Sequence, residues 1–295
     1  MFEFGFKLLR NRVPNYIPER FSLQHEIHHL RLSLAAPSKP IPPVLPPPKH
    51  ASSELIFGGH RAYQGHFPYF ARISGCGGSL ITPKHILTAA HCVDQSSVGD
   101  DVIMGLDEKY NYESVDGVQM RKIAAVSTHV HYNGTTYQND IAILEVDQPF
   151  EITNYVQVVE IKADDAELQK RHWTTVVGFG PVDIVNNTLV YQKYLQYAYV
   201  PIADRAQCCK IWCYWGLSDK QICGGAAGVG TGPGDSGGPM AVRDADKYFQ
   251  IGVVSYGVRR SAALLHQDKY PSVYIRTASY CDWMSEKTDG AFRCI

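Results

Sequence analysis

The stretch GPGDSGGP, Gly232 to Pro239, sets four glycines around one aspartate and one serine. Glycine loses more backbone entropy on folding than any other residue, so such a cluster answers a geometric demand. A flexible surface turn is one reading. The other is a backbone bent to hold one serine hydroxyl and neighbouring N–H groups at a single point. The rest of the chain favours the second.

A serine hydroxyl is a weak nucleophile at neutral pH and needs an adjacent base, itself oriented by a third group. The serine is Ser236. The histidine candidate is His91 in LTAAHC, and the carboxylate candidate is Asp140 in NDIAIL. Alone, a histidine at a strand end is more often structural, and an aspartate before a strand is more often a turn residue. Together they fall in the order His, Asp, Ser, one of the known chain orders of a catalytic triad.

Composition narrows the class further. The chain has 295 residues, 45% hydrophobic and 19% charged, which suits a globular protein with a substantial core. The formal net charge of -1 gives no reason to expect nucleic acid or an anionic membrane as partner. No apolar run approaches the length of a membrane span. Eight cysteines, and sequons at Asn133 and Asn186, fit an oxidising, extracellular setting. The opening MFEFGFKLLRNRV is interrupted by Glu3, Lys7 and Arg10 and lacks the apolar core of a signal peptide.

Residues 35–50 are dominated by proline and read as an extended linker, so residues 1–55 form a leader or pro-segment. HEIHH, His25 to His29, matches the zinc-protease pattern, with Glu26 as the possible base. The leader is too short to enclose a catalytic metal and a linker follows it, so no metal is expected. Beyond Ile56 the texture is all-β. GGSLI, HILTA, IAILEV, TTVVGF, LQYAYV, FQIGVVSY and SVYIR are short strand-like runs punctuated by Gly, Pro, Asn and Asp. Only the end, from about Ala278 to Lys287, reads as helix.

CGGSLITPKHILTAAHC, NDIAIL, GDSGGP and VVSYG, in this order, resemble the chymotrypsin–trypsin family of serine proteases from Ile56 to about Met284. The resemblance implies two six-stranded Greek-key β-barrels, residues 56–161 and 162–295, with a C-terminal α-helix. It also implies a serine endopeptidase working through an acyl-enzyme. His91, Asp140 and Ser236 would form the triad, and the N–H groups of Gly234 and Ser236 the oxyanion hole. No cofactor is implied. The partners are protein or peptide substrates, protein inhibitors and an activating protease, and the enzyme is expected to be a monomer. IFGG, starting at Ile56, resembles the family's mature start. The implied cut lies between Leu55 and Ile56, after which the new amino group would pair with Asp235. Leu55 replaces the usual Arg or Lys, so the expected activator is chymotrypsin-like, the enzyme itself included. The alternative is a non-catalytic homologue that only binds.

The resemblance also places a primary pocket at Gly230, Thr231, Ser255, Gly257 and Ser272. None is charged, so a cationic side chain would lose water and gain no partner there. An apolar preference, chymotrypsin- or elastase-like, is expected. A longer loop, Val258 to Tyr270, borders the pocket. Among the cysteines, the resemblance pairs Cys76 with Cys92. It also gives Cys223 a partner, with Cys209 slightly favoured over Cys208 and Cys213. Cys281 and Cys294 would pair with each other or with the 208–213 region.

Overall fold

The computed structural model describes residues 56–94, 97–110, 112–171 and 173–295. The leader, its HEIHH motif and Leu55 lie outside the described residues.

Two β systems carry the chain. β1 is His60–Arg61, β2 Phe70–Ile73, β3 Cys76–Thr82, β4 His85–Thr88, β5 Asp101–Met104, β6 Gln119–Thr128 and β7 Ala142–Val146. All but β1 close into a six-stranded barrel in the order β2-β3-β4-β7-β6-β5, with Ala71 of β2 opposite Met104 of β5. Leu80, Ile86, Val102, Met104, Ile123 and Leu144 meet inside it. Ile123 and Val126 of β6, three residues apart, are both buried because the register against β7 shifts between Ile123 and Ala125.

The remaining strands are β8 Thr174–Gly178, β9 Pro181–Val185, β10 Thr188–Tyr191, β11 Gln196–Val200, β12 Gln221–Gly224, β13 Pro239–Asp244, β14 Lys247–Tyr256 and β15 Ser272–Arg276. Seven strands form one antiparallel sheet, ordered β1-β11-β8-β13-β14-β15-β12, while β9 and β10 pair as a separate hairpin. Six of them, β11, β8, β13, β14, β15 and β12, are the expected second barrel, and the Ile202–Gly224 bridge joins its two ends. The extra strand is β1, which reaches across from before the first barrel to pair His60 with Tyr197. Val176, Val200, Val242, Ile251 and Tyr274 fill this core. Leu87 and Ile143 of the barrel share a further cluster with Val177, Val253 and Ile275 of the sheet.

The expected terminal helix is present as a 3-10 turn, Thr277–Tyr280, running into an α-helix, Cys281–Lys287. Three further α-helices were not expected: Ala166–Gln169, Arg205–Trp212 and Ser261–Leu264. The second of these begins at Asp204, whose side chain accepts from the Ala206 N–H, a helix-start signal.

That helix corrects one disulfide. Cys223 pairs with Cys208, not Cys209, and Cys209 pairs with Cys213. Helical geometry is the reason. Cys208 faces inward beside Trp212 and Val273, whereas Cys209, one residue on, shares its face with Cys213 four residues later. Cys76–Cys92 forms as expected, and Cys281 pairs with Cys294. The last of these clips the tail beside the Ile295 N–H to Ile161 carbonyl bond of 3.0 Å. Replacing Cys281 and Cys294 together by Ser is expected to lower unfolding stability by about 3 kcal/mol. Chemical denaturation of the double variant under oxidising conditions measures this, and an unchanged midpoint would contradict it.

Candidate active site

The loop after β4 brings the imidazole into place. Residues Ala90–Cys92 form a 3-10 turn, and the Cys76–Cys92 disulfide ties that turn to β3. Asp140 precedes β7 and is fully buried. Its Oδ1 accepts the His91 backbone N–H at 2.8 Å, and its Oδ2 lies 2.7 Å from His91 Nδ1. The Ser255 hydroxyl, near the end of β14, donates to the same Oδ2 at 2.5 Å. A buried carboxylate with three donors is satisfied and fixed. With Nδ1 donating to Asp140, His91 Nε2 carries the free lone pair and can act as a base.

Ser236 reaches the same place through its backbone. Its carbonyl accepts the Gly77 N–H at 2.8 Å, next to Cys76 on β3. Gly237 (φ +75°) donates to the Val254 carbonyl at 2.8 Å. A Cβ on Gly237 would lie 2.3 Å from Thr88 Oγ1 and 2.5 Å from the Gly77 carbonyl oxygen, so only glycine allows this approach. Gly234 has φ +99°, also a glycine conformation. The Asp235, Gly237 and Gly238 N–H groups all donate to backbone carbonyls. Among the described residues, those of Gly234 and Ser236 donate to none. Two spare donors therefore flank one partly exposed hydroxyl. The Ser236 hydroxyl makes no hydrogen bond here with His91, whose ring nitrogens contact Asp140 Oδ2 and, at 3.8 Å, Cys92 Sγ.

Asp235 points the other way. It is fully buried, Oδ1 accepting the Gly180 N–H at 2.7 Å and Oδ2 the Gly232 N–H at 2.9 Å. Burial pushes its pKa up to about 6, against the pull of those two bonds and of Lys109. Cβ atoms on Gly178 and Gly180 would meet its oxygens at 2.2 and 2.1 Å, so VVGFG in β8 and beyond is shaped around this carboxylate. Nearby, Ile56 and Phe57 are buried, and the Phe57 carbonyl accepts the Gly230 N–H at 3.2 Å.

The expected pocket positions also converge. Thr231, Ser255 and Ser272 are buried, and a Cβ on Gly257 would lie 3.1 Å from Ser272 Oγ. Two further side chains were not legible in the sequence. Gln267 binds both Thr231 and Ser272. Tyr137 sets its ring edge-on to His91, with centroids 5.7 Å apart, and lies 5.3 Å from the Tyr256 ring. The one cluster of three residues of metal-ligating type among the described residues is Cys76, His91 and Cys92. Both of its sulfurs belong to a disulfide and are not thiolates.

The family model described as Trypsin matches residues 56–284. Similar proteins include chymotrypsin-C of Rattus norvegicus, 31% identical over 80% of this chain and 89% of its own. Trypsin 5G1 of Aedes aegypti is 30% identical over 80% of this chain and 85% of its own. A collagenase of Hypoderma lineatum is 33% identical over 79% and 87%.

Proposed function

The chain belongs to the chymotrypsin–trypsin family of serine proteases, and on that premise we propose that it is a serine endopeptidase made as a zymogen. In the family's established scheme, Ser236 Oγ forms a bond to the scissile carbonyl carbon while His91 Nε2 takes the hydroxyl proton. The Gly234 and Ser236 N–H groups then receive the oxyanion. Collapse of that intermediate breaks the C–N bond, and the amine leaves with the proton held by His91. Water, deprotonated in turn by His91, hydrolyses the acyl-enzyme. Asp140 keeps the ring in the tautomer that both steps need.

The observation that carries this reading is the His91–Asp140–Ser255 network set beside a serine with two spare N–H donors. A fast-acylating ester substrate tests it. Product should appear in a burst equal to the enzyme concentration before the steady state, because acylation outruns deacylation. Turnover without a burst on any activated ester would contradict an acyl-enzyme, and no turnover would favour the binding-only alternative.

Activation follows from Asp235 and Ile56. A cut after Leu55 would free an α-amino cation beside loops already shaped around the buried carboxylate. Purified full-length chain, incubated alone, is expected to yield a product starting at Ile56 as activity rises. Activity arising with any other first residue would rule out this cut. All eight cysteines are paired, which supports secretion into an oxidising compartment.

The raised Asp235 pKa gives a pH signature of the uncut form. A carboxyl whose folded pKa lies above its unfolded value stabilises the fold fully below the unfolded value and loses that contribution as pH rises through the folded one. For Asp235 the window runs from 3.8 to about 6. The loss is about 3 kcal/mol. Full-length Ser236→Ala, which cannot cut itself, should therefore lose stability between pH 4 and 7 relative to Ser236→Ala/Asp235→Asn. Equal pH slopes in urea titrations of the two would contradict the assignment. After the cut, the new cation would hold the carboxylate ionised and the difference should shrink.

A further inference from the structure

Gly230 carries no side chain at the base of the primary pocket, yet the space beside it is filled. The filler is Gln267, between the Ser261–Leu264 helix and β15, and only 1% exposed. A Cβ on Gly230 would lie 2.0 Å from Gln267 Oε1, 2.3 Å from its Cδ and 2.7 Å from its Nε2. The amide thus occupies the volume that a short polar side chain on residue 230 would fill. The stem passes Gly225, where a Cβ would meet Gln267 Cβ at 2.6 Å. Nε2 donates to the Thr231 carbonyl at 2.7 Å, and Oε1 accepts the Ser272 hydroxyl at 2.8 Å. Two glycines, one carbonyl and one hydroxyl form a slot that fits this carboxamide and fixes its orientation. A carboxamide offers two N–H donors and two lone-pair positions, and these bonds use one of each. One donor and one acceptor direction remain, with no net charge.

We propose that Gln267 is the specificity-determining floor of the primary pocket, supplied by a neighbouring loop in place of residue 230. The inference rests on the chain being an active protease. A neutral amide floor selects uncharged side chains at P1, the residue whose carbonyl is attacked. Arg and Lys are rejected because desolvating them there gains no opposite charge. Converting the same atoms to a carboxylate reverses that choice. In Gln267→Glu the Ser272 hydroxyl still donates, while the Thr231 carbonyl loses its donor. Two acceptors, one charged, then face the pocket and suit a guanidinium or ammonium group.

The experiment uses the full chain after processing, a fluorophosphonate probe for the reactive serine, and a peptide library varied at P1. Wild type should label at Ser236 and cleave after uncharged residues. Gln267→Glu should label and raise the Arg-to-Leu ratio of kcat/KM by 100-fold or more. Gln267→Met, similar in length, neutral and without the two hydrogen bonds, should move cleavage toward larger apolar side chains with no gain for Arg. A labelled Gln267→Glu enzyme with the wild-type profile overturns the proposal. So does a Gln267→Met enzyme that gains Arg cleavage as strongly, since loosening alone would then explain the change. Should Gln267→Glu fail to fold, a Gln267→Met profile within twofold of wild type overturns it. Failure of wild type itself to label removes the proteolytic reading, and this inference with it.

Discussion

Ser236→Ala is expected to lower kcat by roughly 10⁶-fold while leaving KM for peptide substrates within a few-fold. On the proposed mechanism the loss is large because the hydroxyl would supply the bond that forms, with no other group to replace it. His91→Ala should cost about as much, since a serine without its base is an ordinary alcohol. The double variant should be no worse than either single one, because the two residues act as one unit. Asp140→Asn should fall less, by about 10⁴-fold, the size known for this family's triad, because an amide N–H facing Nδ1 would hold the ring in place but in the wrong tautomer. Steady-state kinetics of the purified variants, with matching circular dichroism, measures all four. Additive losses in the double variant would show that Ser236 and His91 do not act together.

Gly237→Ala is expected to cost about 10²–10³-fold in kcat, although it touches no reacting atom. Its Cβ would collide with Thr88 Oγ1 and with the Gly77 carbonyl oxygen, and its φ of +75° strains any other residue. Relief requires residues 236–238 to withdraw from β3 and β4. That withdrawal stretches the Gly77 N–H to Ser236 carbonyl bond and swings the Ser236 N–H away from an oxyanion. Stability should fall as well, by roughly 1–3 kcal/mol. The diagnostic pattern is a kcat loss larger than the KM change in a protein that still melts cooperatively. Near-normal kcat in Gly237→Ala would mean that the glycine serves packing alone.

The glycine-rich stretch was legible because its demand is local: the positive φ angles of Gly234 and Gly237 favour glycine whatever packs around them. The strands carrying HILT, AILEV and FQIGVVSY were legible for a similar reason, as short β-rich runs between turn residues. The His91–Asp140 contact spans 49 residues and could be anticipated only because both ends sit in recognisable blocks. Gln267 had no such block. It lies in a long loop whose sequence gives no sign of which side chain turns inward, and its trace was indirect: glycines at 225 and 230 that leave room for it. The partner of Cys223 was misjudged because no helix was expected over the cysteines at 208, 209 and 213. On a helix, the choice between adjacent cysteines is one of face, and only Cys208 faces the core.

The central claim is that folding makes one hydroxyl, that of Ser236, reactive through His91. Full-length chain, after processing at Ile56, should be treated with a fluorophosphonate and digested, and the modified residue located by mass spectrometry. The expected result is close to one label per molecule, confined to Ser236 and abolished by His91→Ala. A folded, processed chain that leaves Ser236 unlabelled, or that labels equally well without His91, would contradict the account.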